Sequence, residues 1–145
     1  MRRTEYFANA RDPMTVTVPQ LMEDAVVTVA PQTSARAIAE LLSDGGFGSV
    51  PVVEGDRTLV GLVSEFDLLK LMDQSRDLRT VTAADVMTRD VITVTEDVSV
   101  KDLIHLLQER HLIRVPVVKG KTLVGIVARR DILFGYVKAT ATYWP

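Results

Sequence analysis

The sequence predicts an α+β fold in which two β-α-β-β-α repeats are related by a pseudo-twofold axis. The main observation is an internal repeat between residues 16–72 and 81–137. The two copies align at an offset of 65, which becomes 64 near their C-terminal ends because one turn is a residue shorter in the second copy. Each copy also alternates short β-branched runs with helical apolar stripes. Two copies are too few for an open solenoid, so we expect them to close on each other around a ligand cleft.

The repeats divide the chain into five parts. The predicted boundaries are an N-terminal extension at 1–15, repeat one at 16–72, a polar linker at 73–80, repeat two at 81–137 and a C-terminal tail at 138–145. A chain of 145 residues is long enough to bury a core without disulfides or metals. We therefore expect both repeats to form one compact module.

The first half of each repeat is predicted from local signals. A short strand and turn at 16–22 and 81–87 precede the runs VVTV (26–29) and VITV (91–94), whose composition is typical of a buried strand. A capping serine then opens an amphipathic helix in each copy, Ser34 in the first and Ser99 in the second. In repeat one, two glycines after the helix predict a left-handed cap.

The second half of each repeat is a hairpin followed by a helix. Two apolar runs surround a short turn at 54–56 and again at 119–121, which predicts a β-hairpin. The second helix is expected to start at Ser64 in repeat one and at Ala128 in repeat two. Met22 and Met87 stand at matched positions before these elements and are predicted to fill the core.

Composition excludes several classes of function. The chain has no cysteine, which excludes disulfide frameworks, thiolate metal sites and cysteine nucleophiles. His105 lies on a predicted helix face, and His111 has no nearby cysteine or paired acid, so we expect no metal site and no enzyme activity. The polar start, the lack of a long apolar run and the net charge of −2 predict a soluble cytoplasmic protein that binds neither membrane nor nucleic acid.

The residues after the last strand of repeat one suggest a binding element. Gly61 would let the backbone approach a ligand, and the Ser64 hydroxyl at a helix N-terminus would suit a phosphate. Asp67, one turn later, would accept hydrogen bonds from a ribose diol. The same Ser-x-x-Asp spacing also fits a capping box that needs no ligand, so the two interpretations stay open.

The two copies differ in a consistent way. Ala128 replaces the serine of repeat one, whereas the acid is kept as Asp131. Four further positions gain a basic or titratable side chain in repeat two, where Gly45, Gly46, Ser49 and Phe66 become Arg110, His111, Arg114 and Arg130. A solvated basic face would explain any one of them, but four together favour a phosphate-facing patch.

The ordered motifs V-x-T-V, h-P-V-V and G-h-V-x-x-x-D (h for hydrophobic), each present twice, resemble a tandem pair of CBS domains over residues 16–137. The resemblance implies a non-catalytic regulatory module, or Bateman module, that senses energy state by binding AMP, ADP or ATP in the cleft between the repeats. S-adenosylmethionine and NAD are alternative ligands. It also implies a homodimer that signals to an effector protein in trans.

The resemblance also implies a set of site residues. In the main site, Ser64 and Asp67 would hold phosphate and ribose, and the other contacts would come from Val91, Ile92, Arg114, Pro116 and Arg130. Arg110 and His111 would reach the phosphates from a neighbouring module. A second, weaker site would use Val26, Val27, Pro51 and Asp131.

A second function class remains open at this point. The chain could be a structural dimerisation module that no longer binds nucleotide. Ala128 supports this alternative because the hydroxyl is lost, whereas the intact Ser64 and Asp67 pair opposes it.

An apolar tip at Tyr143 and Trp144 is expected to dock on a partner subunit.

Overall fold

The computed structural model describes residues 15–141, so most of the N-terminal extension and the tip at 143–144 lie outside the described residues. The chain divides into two compact units. The first-repeat unit comprises 27–91 and 121–123, and the second-repeat unit takes in the described residues before, between and after these ranges.

Helices and strands both occur in each unit, in agreement with the predicted α+β fold. In chain order the elements are α1 (Val18–Leu21), α2 (Ala35–Gly45), β1 (Ser49–Glu54), β2 (Thr58–Ser64), α3 (Glu65–Asp73), α4 (Ala83–Val86), β3 (Val94–Thr95), α5 (Val100–Glu109), β4 (Arg114–Lys119), β5 (Thr122–Ala128) and α6 (Arg129–Thr140). Among the described residues, no helix is long and apolar enough to cross a membrane.

The first-repeat unit packs its helices on an antiparallel hairpin. Strands β1 and β2 pair so that Ser49 lies opposite Ser64 and Pro51 opposite Leu62. Apolar side chains of α2 and α3 cover the hairpin and exclude water from it. The buried core residues of this unit are Ala35, Ile38, Leu42, Val50, Val52, Val63, Leu68, Leu71, Val81 and Ala83.

The second-repeat unit repeats this plan. Strand β3 is parallel to β4, with Val94 opposite Val117, and β5 is the other neighbour of β4. Helices α5 and α6 follow the same order as α2 and α3. The buried core residues here are Val16, Val18, Leu21, Val94, Val100, Leu103, Leu107, Val115, Val117 and Val127.

The first segment of each repeat packs in the unit formed mainly by the other repeat. Glu23, just after α1, forms two backbone hydrogen bonds with Ile126 of β5, at 2.8 and 2.9 Å. Thr88, just after α4, forms the matching pair with Leu62 of β2, at 2.9 and 3.0 Å. Each first segment is thus exchanged between the repeats. The alignment of the two copies does not predict this exchange, because it shows which segments correspond but not which hairpin each segment contacts.

The short strands predicted at 16–22 and 81–87 are wrong, because one-turn helices occupy these positions. The Thr17 N–H donates to Gln20 Oε1 at 2.9 Å, and the Thr82 N–H donates to Asp85 Oδ2 at 2.9 Å. Such bonds stabilise a helix start, and proline near the first position of α1 favours the same conformation.

The buried strands predicted at 26–29 and 91–94 are also wrong in most of their length. Only Val29 forms a bridge, to Val52, and only Val94 and Thr95 form a strand. Val27 is 46% exposed and Ile92 is 36% exposed. A β-branched composition predicts a strand, but these residues lack the neighbouring backbone that would complete one.

The predicted caps and turns are confirmed. Ser34 Oγ accepts a hydrogen bond from Ala37 N at 3.1 Å, and Ser99 Oγ accepts one from Asp102 N at 3.0 Å. Gly46 ends α2 in the left-handed region, with φ of 68°. Helices α3 and α6 begin directly after Ser64 and Ala128, as the sequence predicts.

Candidate functional site

The candidate element of repeat one lies at the junction of β2 and α3. The carboxylate of Asp67 accepts two hydrogen bonds at Oδ2, from Ser64 N at 2.8 Å and from Ser64 Oγ at 3.1 Å. The Ser64 hydroxyl accepts one in return from Asp67 N, at 3.3 Å. The capping interpretation is therefore confirmed, and both side chains are half-buried.

Capping uses only one oxygen of the carboxylate. Oδ1 of Asp67 makes no hydrogen bond to any residue between 15 and 141. A carboxylate has about four acceptor positions, so Asp67 retains capacity for further donors. The cap fixes the side-chain orientation, and this leaves Oδ1 as a preoriented acceptor at the start of α3.

The ligand role predicted for Gly61 is not supported, because a side chain occupies the space beside its Cα. A Cβ at Gly61 would overlap the side chain of Met87, and a Cβ at Gly125 would overlap that of Met22. Both methionines pack against the apolar core of their unit, as predicted. These glycines therefore make room for the exchanged segments rather than for a ligand.

The corresponding element of repeat two keeps the acid and lacks the hydroxyl. Asp131 Oδ2 accepts a hydrogen bond from Ala128 N at 2.9 Å. Burial lowers the pKa of the Arg114 guanidinium, and the nearby Asp131 carboxylate opposes this by raising it. These two residues were predicted to belong to different sites, and their opposite charges interact between the start of β4 and the start of α6.

The strand residues predicted to line the adenine positions fall into three classes of exposure. Val27 and Ile92 present apolar surface to solvent. Val26 and Val91 are half-buried. Pro51 and Pro116 are buried within β1 and β4, and their contact with a base stays a prediction.

The remaining basic residues are more exposed than Arg114. Arg110 and Arg130 are exposed, at the end of α5 and the start of α6. His111 is exposed with φ of 53°, and it lines an open apolar cavity among helices of the second-repeat unit. His105 is exposed on α5, as predicted. Within residues 15–141, no group of three or more His, Asp or Glu side chains could hold a metal ion.

The cavity beside His111 was not predicted from the sequence. It has a volume of about 570 Å³ and includes none of the other predicted site residues. Arg129 and Tyr136 add polar groups to its lining. The only sequence signal for it was the replacement of Gly46 by His111, which we interpreted as part of a phosphate-facing patch.

Known proteins resemble this chain over most of its length. An uncharacterized protein of Methanopyrus kandleri, MK0525, is 36% identical over 121 residues, which cover 81% of this chain and 61% of that protein. The chain thus spans less than two thirds of that relative.

Two solved structures also match closely. The crystal structure of CBSX2 in complex with AMP has a TM-score of 0.75 at 29% identity, covering 86% of this chain and 98% of that one. The CBS domain pair of protein MJ0100, in complex with 5'-methylthioadenosine and S-adenosyl-L-methionine, has a TM-score of 0.71 at 28% identity, covering 82% of this chain and 98% of that one.

A family model assigns both repeats. The model for the CBS domain matches residues 18–74 and 83–138, which together make up most of the chain. These ranges contain both capped Asp elements and both hairpins described above. The chain therefore belongs to the CBS domain family and carries two CBS domains in tandem.

Proposed function

We propose that the chain is a regulatory module that binds an adenosine-containing ligand and transmits its binding to a partner protein. AMP, ADP and ATP are the favoured ligands, and S-adenosylmethionine and NAD are the alternatives. The output would act in trans, by a change in the population of conformations that a partner recognises.

The observation that carries this proposal is the arrangement of Ser64 and Asp67. The cap holds the carboxylate in one orientation while Oδ1 keeps its acceptor capacity. A ribose diol offers two O–H donors, and hydrogen bonds to a charged acceptor contribute about 1.5–3 kcal/mol each. Helix α3 also presents backbone N–H groups at its start, where a phosphate is favoured.

Exposed apolar surface supports the base-binding half of the proposal. Val27 and Ile92 stand at matched positions of the V-x-T-V motifs and are both partly exposed. An adenine ring would cover such surface and remove it from water. Because CBSX2 binds AMP, and the MJ0100 domain pair binds 5'-methylthioadenosine and S-adenosyl-L-methionine, adenosine compounds are the ligands to test first.

The charges of repeat two support phosphate recognition. Arg114 is half-buried at the start of β4, where burial lowers the pKa of its guanidinium and the Asp131 carboxylate opposes that change. Guanidinium groups bind phosphate oxygens in a bidentate manner. We propose that Arg114, Arg130 and Asp67 contribute to the main site, and that Asp131 belongs to the weaker one.

We also propose a homodimer. Helix α3 exposes Phe66 at 82%, Leu69 at 53% and Met72 at 59%, which is a large apolar face for a free surface. Light scattering at tens of micromolar chain is expected to give twice the chain mass of 16.0 kDa. A monomeric mass would contradict the dimer and would leave the ligand proposal unaffected.

Thermal unfolding with AMP, ADP, ATP, NAD and S-adenosylmethionine tests the ligand proposal. A ligand at about 100 times its dissociation constant stabilises the folded state by about 2.7 kcal/mol, so at least one compound is expected to raise Tm. If none shifts Tm at millimolar concentration, the proposal fails. The structural dimerisation module would then be the better account of the chain.

A further inference from the structure

The second-repeat unit contains an apolar cavity that the proposed nucleotide chemistry does not use. It lies among α1, α5 and α6 and has a volume of about 570 Å³, which is within the range of small-molecule sites. Its lining residues are Val16, Leu21, Val100, Ile104, Leu107, Gln108, His111, Leu112, Arg129, Ile132, Leu133 and Tyr136. We call it the helix-pair cavity.

The floor of the helix-pair cavity is apolar. Four of its lining residues, Val16, Leu21, Val100 and Leu107, are between 0% and 8% exposed and belong to the hydrophobic core. Water in such a space finds few hydrogen-bond partners. The floor therefore favours the apolar part of a ligand over solvent.

The rim of the helix-pair cavity is polar and carries only positive charge. Gln108, His111, Arg129 and Tyr136 supply its polar groups, and no Asp or Glu is among the lining residues. Arg129 forms no ion pair with any residue between 15 and 141, and its backbone N–H is fixed by a hydrogen bond of 2.9 Å to Ile113 O. This charge pattern complements an anion.

The fold does not require these rim residues. At the matched positions of repeat one stand Ser43 for Gln108, Gly46 for His111, Glu65 for Arg129 and Met72 for Tyr136. The first repeat forms the same helix pair with an acid where the second has a cation. The cationic rim is therefore a specific feature of repeat two.

We propose that the helix-pair cavity binds a small amphipathic anion, with an aromatic or branched apolar body and one carboxylate, sulfonate or phosphate group. The body lies on the floor among Leu21, Ile104 and Leu107. The anionic group lies at the rim, where Arg129 and the side chain of His111 provide donors. The site differs from the proposed adenosine site, with which it shares only His111.

Fluorescence titration with 8-anilinonaphthalene-1-sulfonate tests this proposal, with neutral N-phenyl-1-naphthylamine as the matched probe. The sulfonate is expected to bind saturably at one site per chain. Arg129→Gln is expected to lower its affinity about threefold to tenfold and Arg129→Glu by more, while the affinity for the neutral probe stays constant. The control Lys101→Gln removes an exposed charge from α5 outside the lining and is expected to change neither affinity.

Further measurements distinguish a small anion from other occupants of the helix-pair cavity. Ile104→Trp fills the cavity and is expected to abolish binding of both probes, with cooperative urea unfolding as the check that the variant folds. Excess adenosine, which has no phosphate to compete for His111, is expected to leave the sulfonate affinity unchanged, so failure of the adenosine proposal would not affect this result. Equal losses in Arg129→Gln and Lys101→Gln, displacement of the probe by adenosine, or weaker probe binding as the chain self-associates would overturn the proposal. The last result would assign the cavity to a second copy.

Discussion

Replacement of Gly61 by alanine is expected to destabilise the first-repeat unit, because the new methyl group would overlap the Sδ, Cγ and Cβ atoms of Met87. The Cβ of Met87 lies next to its backbone, so rotation of the side chain alone does not remove the overlap. Overpacking of a well-packed core costs about 1–3 kcal/mol. We expect the free energy of unfolding to fall by that amount in urea titrations.

The double variant identifies the cause. In a Met87→Ala background the Sδ and Cγ atoms are gone and only the Cβ contact at 3.0 Å remains, so Gly61→Ala is expected to cost much less there. The coupling energy between the two substitutions then lies within the range of about 0.5–3 kcal/mol seen for residues in contact. Gly48→Ala serves as the control, since its methyl group would meet only the flexible end of Glu65.

A different result would refute the packing explanation of Gly61. If Gly61→Ala had the same effect on stability with and without Met87, the two residues would not be coupled. If it left stability unchanged and abolished AMP binding, the glycine would serve the approach of a ligand. Only the second outcome would restore the interpretation that the sequence alone first suggested.

Three further predictions concern the helix starts. Ser64→Ala removes the hydroxyl that accepts from Asp67 N and is expected to cost about 0.5–2 kcal/mol in urea unfolding, and a neutral result would contradict the cap. Ala128→Ser supplies the missing hydroxyl and is expected to stabilise the chain by about 0.5–2 kcal/mol, so a loss of stability would show that the hydroxyl is not accommodated there. The pKa of Asp85 is held below its ordinary value of 3.8, most strongly by the hydrogen bond from the backbone of Thr82 and next by the hydrogen bond from the Thr82 side chain. The stability that this carboxylate contributes is therefore present above pH 3.8 and is lost as the pH falls through the lower pKa of the folded state. Asp85→Asn is expected to make the free energy of unfolding fall less steeply below pH 3.8, and an unchanged pH dependence in that range would contradict this.

Local signals predicted the parts of the fold that depend on neighbouring residues. A serine followed by a helical apolar stripe located the starts of α2 and α5, and two glycines located the left-handed end of α2 at Gly46. These features need only a few residues in sequence, because caps and turns are satisfied within one turn of backbone.

Features that depend on distant residues could not be predicted in the same way. The exchange of the segments around α1 and α4 rests on hydrogen bonds such as Glu23 to Ile126, about a hundred positions apart. The helix-pair cavity likewise needs Val16 beside Tyr136. No local pattern carries this information, and the overlap that explains Gly61 depends on the same exchange.

The candidate site was predictable in part. The Ser-x-x-Asp spacing located the element after β2, but two functions fit it equally well. The structure confirms the cap and shows that it leaves Oδ1 of Asp67 unused among the described residues. The proximity of Arg114 to Asp131 could not be foreseen, because it depends on where β4 and α6 begin relative to each other.

The central claim is that Asp67 orients an adenosine ligand. Calorimetric titration of AMP into the unsubstituted chain, Asp67→Ala and Asp131→Ala tests it most directly, with urea unfolding to show that each variant is folded. Loss of one hydrogen bond to a charged acceptor, worth about 1.5–3 kcal/mol, predicts an affinity about 10- to 100-fold weaker in Asp67→Ala and a smaller loss in Asp131→Ala. Equal losses, the reverse order, or no heat of binding in the unsubstituted chain would contradict the claim.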